Sequence, residues 1–409
     1  MPDAPRVSVI IPAWNLWELT AACLRSLAAH SQGENLEAVV VDNGSTDATA
    51  TELEPLGRAL FGAAFRPVRL AENQGFARGC NAGAAAAAGP LLFFLNNDAT
   101  VTPGWLPPLR AALESPRVGA VGPLLLYPDR TVQHCGIFIT PFHTVGHLYE
   151  HFPAGHPAVA RPHPLQALTG AALLLRAADF QDCGGFFTGY RNGFEDLDLC
   201  CALRARGRKL RVAAQSVVLH HTSRTPGRFD HDQANGELFA RRCGAALRPD
   251  WHLLAALDGY RLCLGPGLAL WLEPEPERQE ACARAWREAG MSPEACVRLL
   301  EKEPLWREGW LRLARRLADL GRAEEAFAAA LRCGRFFPHP EVGALLLRLA
   351  RALGDPQCLR EVMEIVASLP QAHALTEVER ARLRQARRRA IEAGDDLLAG
   401  LCARWLRTA

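Results

Sequence analysis

The chain has 409 residues, 49% of them hydrophobic, and a formal net charge of +2. That length predicts two or three domains with substantial cores. The near-neutral charge excludes an electrostatic case for a nucleic-acid partner, and no apolar run reaches the ~18 residues a bilayer span requires. The polar, Pro-containing start runs straight into a strand, so no signal peptide is expected. The 13 Cys are scattered, odd in number and without a CxxC, with Cys200-Cys201 the only adjacent pair. Neither a disulfide framework nor a zinc ribbon is expected; reduced cysteines in a cytosolic protein are.

Arg6 to Pro12 is a β-branched run and predicts the first strand. Trp17 to Ala29 has helical apolar spacing. Leu36 to Val41 predicts the second strand, ending in turn chemistry from Asp42 to Asp47 that leads to a helix over 48–60. Phe65 to Leu70 predicts a short third strand. Asn73 to Gly83 reads as a Gly/Asn-rich turn and Asn81 to Ala88 as an alanine-rich helix. Leu91 to Leu95 predicts the fourth strand. Strands alternating with helices imply crossover units and a mainly parallel sheet.

From Val118 to Pro164 the pattern loosens, and 141–164 reads as a long surface loop of the kind that serves as a lid or binding loop. Its five His, from His143 to His163, are expected to be solvated loop residues rather than metal ligands. Leu168 to Leu175 predicts a strand broken at Gly170, Phe194 to Arg206 a helix, and Leu210 to His220 the next strand.

Near Glu273 the composition changes. Glu273 to Glu277, EPEPE, reads as a linker. The rest of the chain is helical and rich in Ala, Leu, Arg and Glu. Trp310, Leu313, Ala314, Leu317, Gly321, Ala326, Ala330 and Pro338 fall at the spacing of the 34-residue tetratricopeptide pattern, with Trp310 expected in the core. Any antiparallel helical hairpin would give similar spacing. Arg278 to Leu300 and Glu341 to Leu369 read as degenerate helix pairs. The predicted domains are 1–245, a connection over 246–277, and a helical domain over 278–409.

One stretch carries chemistry on its own. In Leu91 to Thr100, LLFFLNNDAT, a buried strand runs into Asn96, Asn97 and Asp98. Its polar end falls at the carboxyl edge of the sheet, where open α/β sheets bind ligands. Asp98 there is an oxygen ligand for Mg²⁺ or Mn²⁺, or else part of a plain Asn/Asp turn.

Five stretches occur in order: VSVIIPAWN from Val7, VVVDNGSTDAT from Val39, ENQGFARGCNAG from Glu72, FFLNNDA from Phe93 and GFEDLDLCCALRARG from Gly193. Over residues 6–245 the chain thereby resembles the inverting family 2 glycosyltransferases, in particular bacterial rhamnosyltransferase-like members. The resemblance implies an α/β fold, an A-type, Rossmann-like sheet with flanking helices, followed here by an all-α helical-repeat region. It also implies transfer of a sugar from a UDP- or dTDP-sugar to a hydroxyl of a glycan, lipid-linked or protein acceptor. Pro12, Ala13, Trp14 and Asn15 would carry the nucleotide, Asp42 the imide N–H of the base, and Gly75 and Phe76 the closing loop, with Arg78 on a phosphate. The family's Asp-x-Asp motif is Asn96-Asn97-Asp98 here, so Asp98 alone supplies charge, while Asn97 can bind ribose.

A second metal ligand is expected in His220-His221-Thr222-Ser223, with His220 favoured over His221, and imidazole suits Mn²⁺ better than Mg²⁺. The catalytic base is expected in the Glu195-Asp196 pair, with Asp196 as base and Glu195 shaping the acceptor site. Asp198 is expected mainly to complement the helix dipole. Thr169 to Ala171 and Gly184 to Phe186 are acceptor-side landmarks.

A sugar-phosphate nucleotidyltransferase would want a Gly-rich basic loop where Pro12-Ala13-Trp14-Asn15 stands. A non-catalytic scaffold built on a degenerate transferase is the alternative that the helical tail raises. The tail itself is expected to bind a protein partner or to self-associate. The expected location is cytoplasmic, with peripheral contact at the inner membrane face left open.

Overall fold

The computed structural model describes residues 6–221, 230–369 and 374–408; Thr222 and Ser223 of the predicted histidine motif lie outside them. The chain divides into two units, Met1–Phe138 with Val145–Arg248, and Ile139–Thr144 with Pro249–Ala409.

The first unit opens with β1 (Val7–Ala13), α1 (Trp17–His30), β2 (Leu36–Asn43), α2 (Thr49–Phe61), β3 (Phe65–Leu70), α3 (Phe76–Ala86) and β4 (Leu91–Leu95). Then come β5 (Ala99–Val101), α4 (Leu106–Leu113), β6 (Val118–Leu126), β7 (Val132–His134), β8 (Ile137–Ile139) and β9 (Val145–His147). The remainder is α5 (Pro157–Ala160), β10 (Ala172–Arg176), α6 (Ala177–Asp182), α7 (Glu195–Ala205), β11 (Lys209–His220) and α8 (Asp232–Cys243).

The sheet is mixed, in spatial order β3-β2-β1-β4-β10-β6-β11-β5, with β7 added on β6. β3, β2, β1 and β4 are parallel, as the alternation of strands and crossover helices requires. β10 runs antiparallel to both β4 and β6, and β5 antiparallel to β11. The central strands are β-branched or aromatic and buried on both faces, which suits a sheet covered by helices on each side.

α3 begins at Phe76, not at residue 81, because the turn ahead of it is already organised. Asn73 Oδ1 accepts the Gly75 N–H at 2.9 Å, and Gly75, at φ 84, takes the backbone conformation that releases Phe76 into the helix. Residues 141–164 are not an open surface loop. β9 and α5 lie within them, and Leu148, Tyr149 and Phe152 are buried apolar side chains.

The second unit begins with α9 (Trp251–Leu257) and an antiparallel hairpin of β12 (Tyr260–Leu264) and β13 (Leu270–Pro274). Its helices are α10 (Pro276–Glu288), α11 (Pro293–Lys302), α12 (Arg307–Asp319), α13 (Ala323–Phe336), α14 (Pro340–Leu353), α15 (Pro356–Ser368), α16 (Glu377–Glu392) and α17 (Asp396–Thr408). Pro276, Pro293, Pro340 and Pro356 each open a helix, where the missing N–H costs nothing. The EPEPE stretch is therefore not a linker. Glu273 sits in β13, accepting from Trp271 Nε1 at 3.0 Å and pairing with Arg261 at 3.0 Å, and Pro276 starts α10. Ala314, Ala326 and Ala330 are buried where α12 meets α13, and Gly321, at φ 76, turns the chain between them. Among the described residues no helix is long and apolar enough to cross a membrane.

Phe93 is fully buried in the centre of the sheet, its ring 4.7 Å from that of Trp105. Phe93→Ala should cost about 3–5 kcal/mol of stability through lost burial and a residual cavity. The check is urea unfolding, with a lower midpoint at unchanged slope.

Candidate active site

The chain leaves β1 towards β2 and β3 on one side and returns to β4 on the other, so the order of connection reverses between β1 and β4. Ligand crevices form at such points, beyond the carboxyl ends of the strands. The pairing register opens one here. β1 stays paired with β2 as far as Ala13↔Asp42, but with β4 only as far as Ile10↔Phe94. Pro12, which has no N–H to give, falls just past the end of the β4 pairing. Pro12, Ala13 and Trp14 then line one side of a cleft of about 420 Å³, and Asn96, Asn97 and Asp98 line the next.

Asp98 follows the turn after β4 and is 7% exposed. β5, the strand it leads into, pairs antiparallel with the end of β11, placing Ala99 opposite His220. That pairing sets His220 Nε2 3.0 Å from Asp98 Oδ1. Gln133 of β7 fixes the ring. Its Nε2 donates to the His220 carbonyl at 3.1 Å, so its Oε1 faces His220 Nδ1 at 2.6 Å and takes that nitrogen's proton. Nε2 is thus the nitrogen turned to Asp98 and to Asn96 Nδ2, 3.2 Å away. Burial pushes the Asp98 carboxyl up, but the hydrogen bond and charge of His220 outweigh it and hold the group below the usual aspartate range. His221 alternates off this position: its N–H donates to the Asp98 carbonyl at 3.0 Å, and its side chain does not line the cleft.

Glu195 and Asp196 open α7 and both line the cleft. Asp196 is aimed by backbone donors, Oδ2 taking the Gly170 N–H at 2.8 Å and Oδ1 the Leu197 N–H at 2.9 Å. Gly170 is where β10 has not yet begun, so its N–H is available. Glu195 is 3% exposed. Asp198 does more than complement the helix dipole. It accepts from Tyr190 Oη and from Arg242 Nε of α8, both at 2.9 Å. Thr169, Gly170 and Ala171 line the cleft, whereas Phe186 packs beneath it in an aromatic cluster with Phe76, Phe94 and Phe180.

The cleft also brings together Gly75 and Phe76, but three predicted nucleotide residues fall outside its lining. Asn15 spends its side chain on structure, Oδ1 accepting the Thr46 N–H at 2.8 Å to tie the β1–α1 turn to the β2–α2 turn. Asp42 is 4% exposed; Oδ1 accepts the Ser45 N–H at 2.8 Å and Oδ2 lies 3.5 Å from Arg69. Arg78 is exposed on α3. With the helix starting at Phe76, two residues at ~100° each turn Arg78 about 200° away from the cleft-lining Phe76.

Other lining residues were not among the predicted site residues: Asn43 and Asn73, which lie within the quoted stretches, and Asn192, Tyr127, Gln133, His147 and Glu150. His147 was expected to be a solvated loop residue and is a half-buried wall residue instead; His156 and His163, from the same five, are buried. Among the described residues no group of three or more His, Cys, Asp or Glu gathers as a metal cluster.

The family model described as "Glycosyl transferase family 2" matches residues 8–138. The O-antigen biosynthesis protein RfbC of Myxococcus xanthus is 31% identical over 272 residues, covering 64% of this chain and 20% of that protein. An uncharacterized Sinorhizobium fredii protein, y4gI, is 30% identical over 240 residues, covering 56% of this chain. This chain thus spans 20% and 26% of the lengths of those two relatives. The N-acetylglucosaminyl-diphospho-decaprenol L-rhamnosyltransferase of Mycobacterium tuberculosis is 32% identical over 208 residues, covering 46% of this chain and 68% of that protein. With most of a named transferase matched at this identity, and the five sequence stretches gathered on one sheet edge, the chain belongs to glycosyl transferase family 2.

Proposed function

We propose that this chain transfers a sugar, with inversion, from a UDP- or dTDP-sugar to a hydroxyl of a glycan, lipid-linked or protein acceptor. The observation that carries the reading is that the Asp196 carboxylate and the Asp98–His220 pair open into one cleft at the switch point of the sheet. The names of the M. xanthus and M. tuberculosis relatives, O-antigen biosynthesis and rhamnosyl transfer to a decaprenol-linked sugar, support a glycan or lipid-linked acceptor.

In this reading Pro12, Ala13, Trp14, Gly75, Phe76 and Asn97 hold the nucleotide. Asn97 gives its Nδ2 to Thr20 Oγ1 at 2.9 Å, which fixes its carbonyl oxygen as the group left for ribose. Asp196 accepts the proton of the acceptor hydroxyl as that oxygen bonds to the anomeric carbon. The bond from that carbon to the diphosphate breaks, and its electron pair leaves with the diphosphate. Glu195 shapes the acceptor side.

The residues at Asp98 fit a divalent cation. Gln133 accepts the His220 Nδ1 proton, the outer-shell arrangement of a metal-binding histidine, and leaves Nε2, which hydrogen-bonds Asp98 when no ion is held, as the ligand nitrogen. Asp98 and His220 would hold it, with Mn²⁺ suiting an imidazole better than Mg²⁺. Such an ion, when bound, supplies Lewis-acid stabilisation of the charge on the departing diphosphate. The cleft is lined by the first unit alone, and the helical unit is proposed to bind a partner, the acceptor or a second copy, at the inner face of the membrane.

Thermal shift against a panel of nucleotide sugars with Mn²⁺ tests binding, because a ligand of the folded state raises its stability. Asp98→Ala should abolish Mn²⁺-dependent stabilisation by UDP or dTDP while the protein stays folded; unchanged affinity removes Asp98 from the site. Asp196→Asn should keep donor binding and lose turnover by about 10² or more. Transfer at the wild-type rate would move the base elsewhere, with Glu195 next.

The Asp98 carboxyl also sets a pH dependence. Its pKa is lower folded than unfolded, so its contribution is fully present above the ordinary aspartate value of about 3.9 and is lost as pH falls through the folded value. The stability difference between wild type and Asp98→Asn should therefore shrink as pH falls from about 4 to about 2. Denaturant melts across that range read it; a difference constant with pH contradicts it.

A further inference from the structure

The cleft wall contributed by Tyr127, Gln133, His147 and Glu150 takes no part in the proton transfer to Asp196, yet it is polar and internally ordered. Tyr127 donates its hydroxyl to Glu150 Oε1 and stacks on His151 at 4.9 Å. Glu150, which lines the cleft, is thereby oriented through one carboxylate oxygen. His147 Nδ1 lies 2.8 Å from His134 Nδ1, so one ring donates to the other.

Burial decides which. His134 is 1% exposed, and its Nε2 has no partner among the described residues. A bare lone pair there costs less than a buried N–H with no acceptor, the rarer fault in native interiors. His134 therefore carries its proton on Nδ1 and gives it to His147. With its own Nδ1 accepting, His147 holds its proton on Nε2, the ring nitrogen not spent on His134, and the residue lines the cleft. Burial also pushes both imidazoles below the usual histidine range, His134 well below, and so favours the neutral rings this arrangement needs.

We propose that His147 and Glu150 recognise adjacent hydroxyls of the transferred sugar, the His147 Nε2–H donating to one hydroxyl oxygen and the Glu150 carboxylate accepting the proton of its neighbour. The inference rests on the sugar-transfer reading. A fixed donor beside a fixed acceptor matches a vicinal diol, in which one oxygen accepts while the other donates. It also excludes His147 as the base, since its lone pair is committed to His134, and leaves that task to Asp196. A site built to hydrogen-bond a hydroxyl discriminates strongly against a ligand that lacks it.

The test uses the full chain. Long-range proton–nitrogen correlation of the imidazoles should show His147 protonated on Nε2 and His134 on Nδ1. Calorimetry then compares UDP with UDP-glucose, and dTDP with dTDP-rhamnose. His147→Phe should leave UDP and dTDP binding within about twofold, and weaken the nucleotide sugar on the order of tenfold, the worth of one hydrogen bond. His147→Gln, which keeps a side-chain N–H, should recover most of that loss. A protonated Nδ1 on His147 overturns the donor assignment even if sugar binding is intact. Equal losses for nucleotide and nucleotide sugar in His147→Phe overturn the sugar contact. If the tautomers are as expected but wild type binds neither nucleotide sugar, the sugar-transfer reading fails, and this contact with it.

Discussion

The candidate site depends on unequal pairing along β1. Its ladder with β2 continues for three residues beyond the point where its ladder with β4 ends, and Pro12 sits in that overhang. A residue with no N–H cannot extend the β4 ladder, so β1 and β4 part where the polar ends of both strands emerge. Everything placed in the cleft hangs from the two edges of that parting. Deep burial holds the edges still. Ile10, Ile11, Phe93 and Phe94 are fully buried, and the rings of Phe94, Phe180 and Phe186 pack within 5.4 Å of one another directly beneath the opening.

On this rigid floor the polar chemistry is assembled by antiparallel pieces added to the parallel half. β10, β5 and β7 are short, yet each delivers one part. β10 follows the free Gly170 N–H that aims Asp196, β5 brings Asp98 beside the end of β11, and β7 carries Gln133 to His220. Each polar group on this edge is oriented by another: Asn97 by Thr20, His220 by Gln133, Glu150 by Tyr127, His147 by His134. Hydrogen bonds returned within such a network offset the desolvation of its members, and the low local dielectric strengthens them.

The helical unit obeys different rules. Local signals dominate it: proline at the first helical position, Ser292 and Thr376 capping helix starts, Gly321 and Gly354 in left-handed turns. Its Pro/Glu segment shows how local composition misleads. Glu273 looks solvated in sequence, but Arg261, Arg307 and Trp271 supply the partners that allow a carboxylate to be buried.

The sequence by itself determined the elements whose signals are local. The β-branched runs ending in Pro12, Asp42 and Asn96, the crossover helices between them, and the acidic start of α7 were all legible because apolar periodicity and turn chemistry act over a few residues. Asp98, His220, Glu195 and Asp196 were legible as a set through family resemblance, which carries long-range information that periodicity lacks. Only the tertiary structure decided which side chains share the cleft. Gln133 and His220 are 87 residues apart, Asn96 and His220 124 apart, and no local pattern marks such pairs. It moved Arg78 out, because a helix begun five residues early rotates it away. It turned Asn15 and Asp42 to bracing turns, where they accept the Thr46 and Ser45 backbone N–H groups. It drew His147 from an expected loop into the wall of the site, because one fully buried histidine fixes what the next can offer to a ligand.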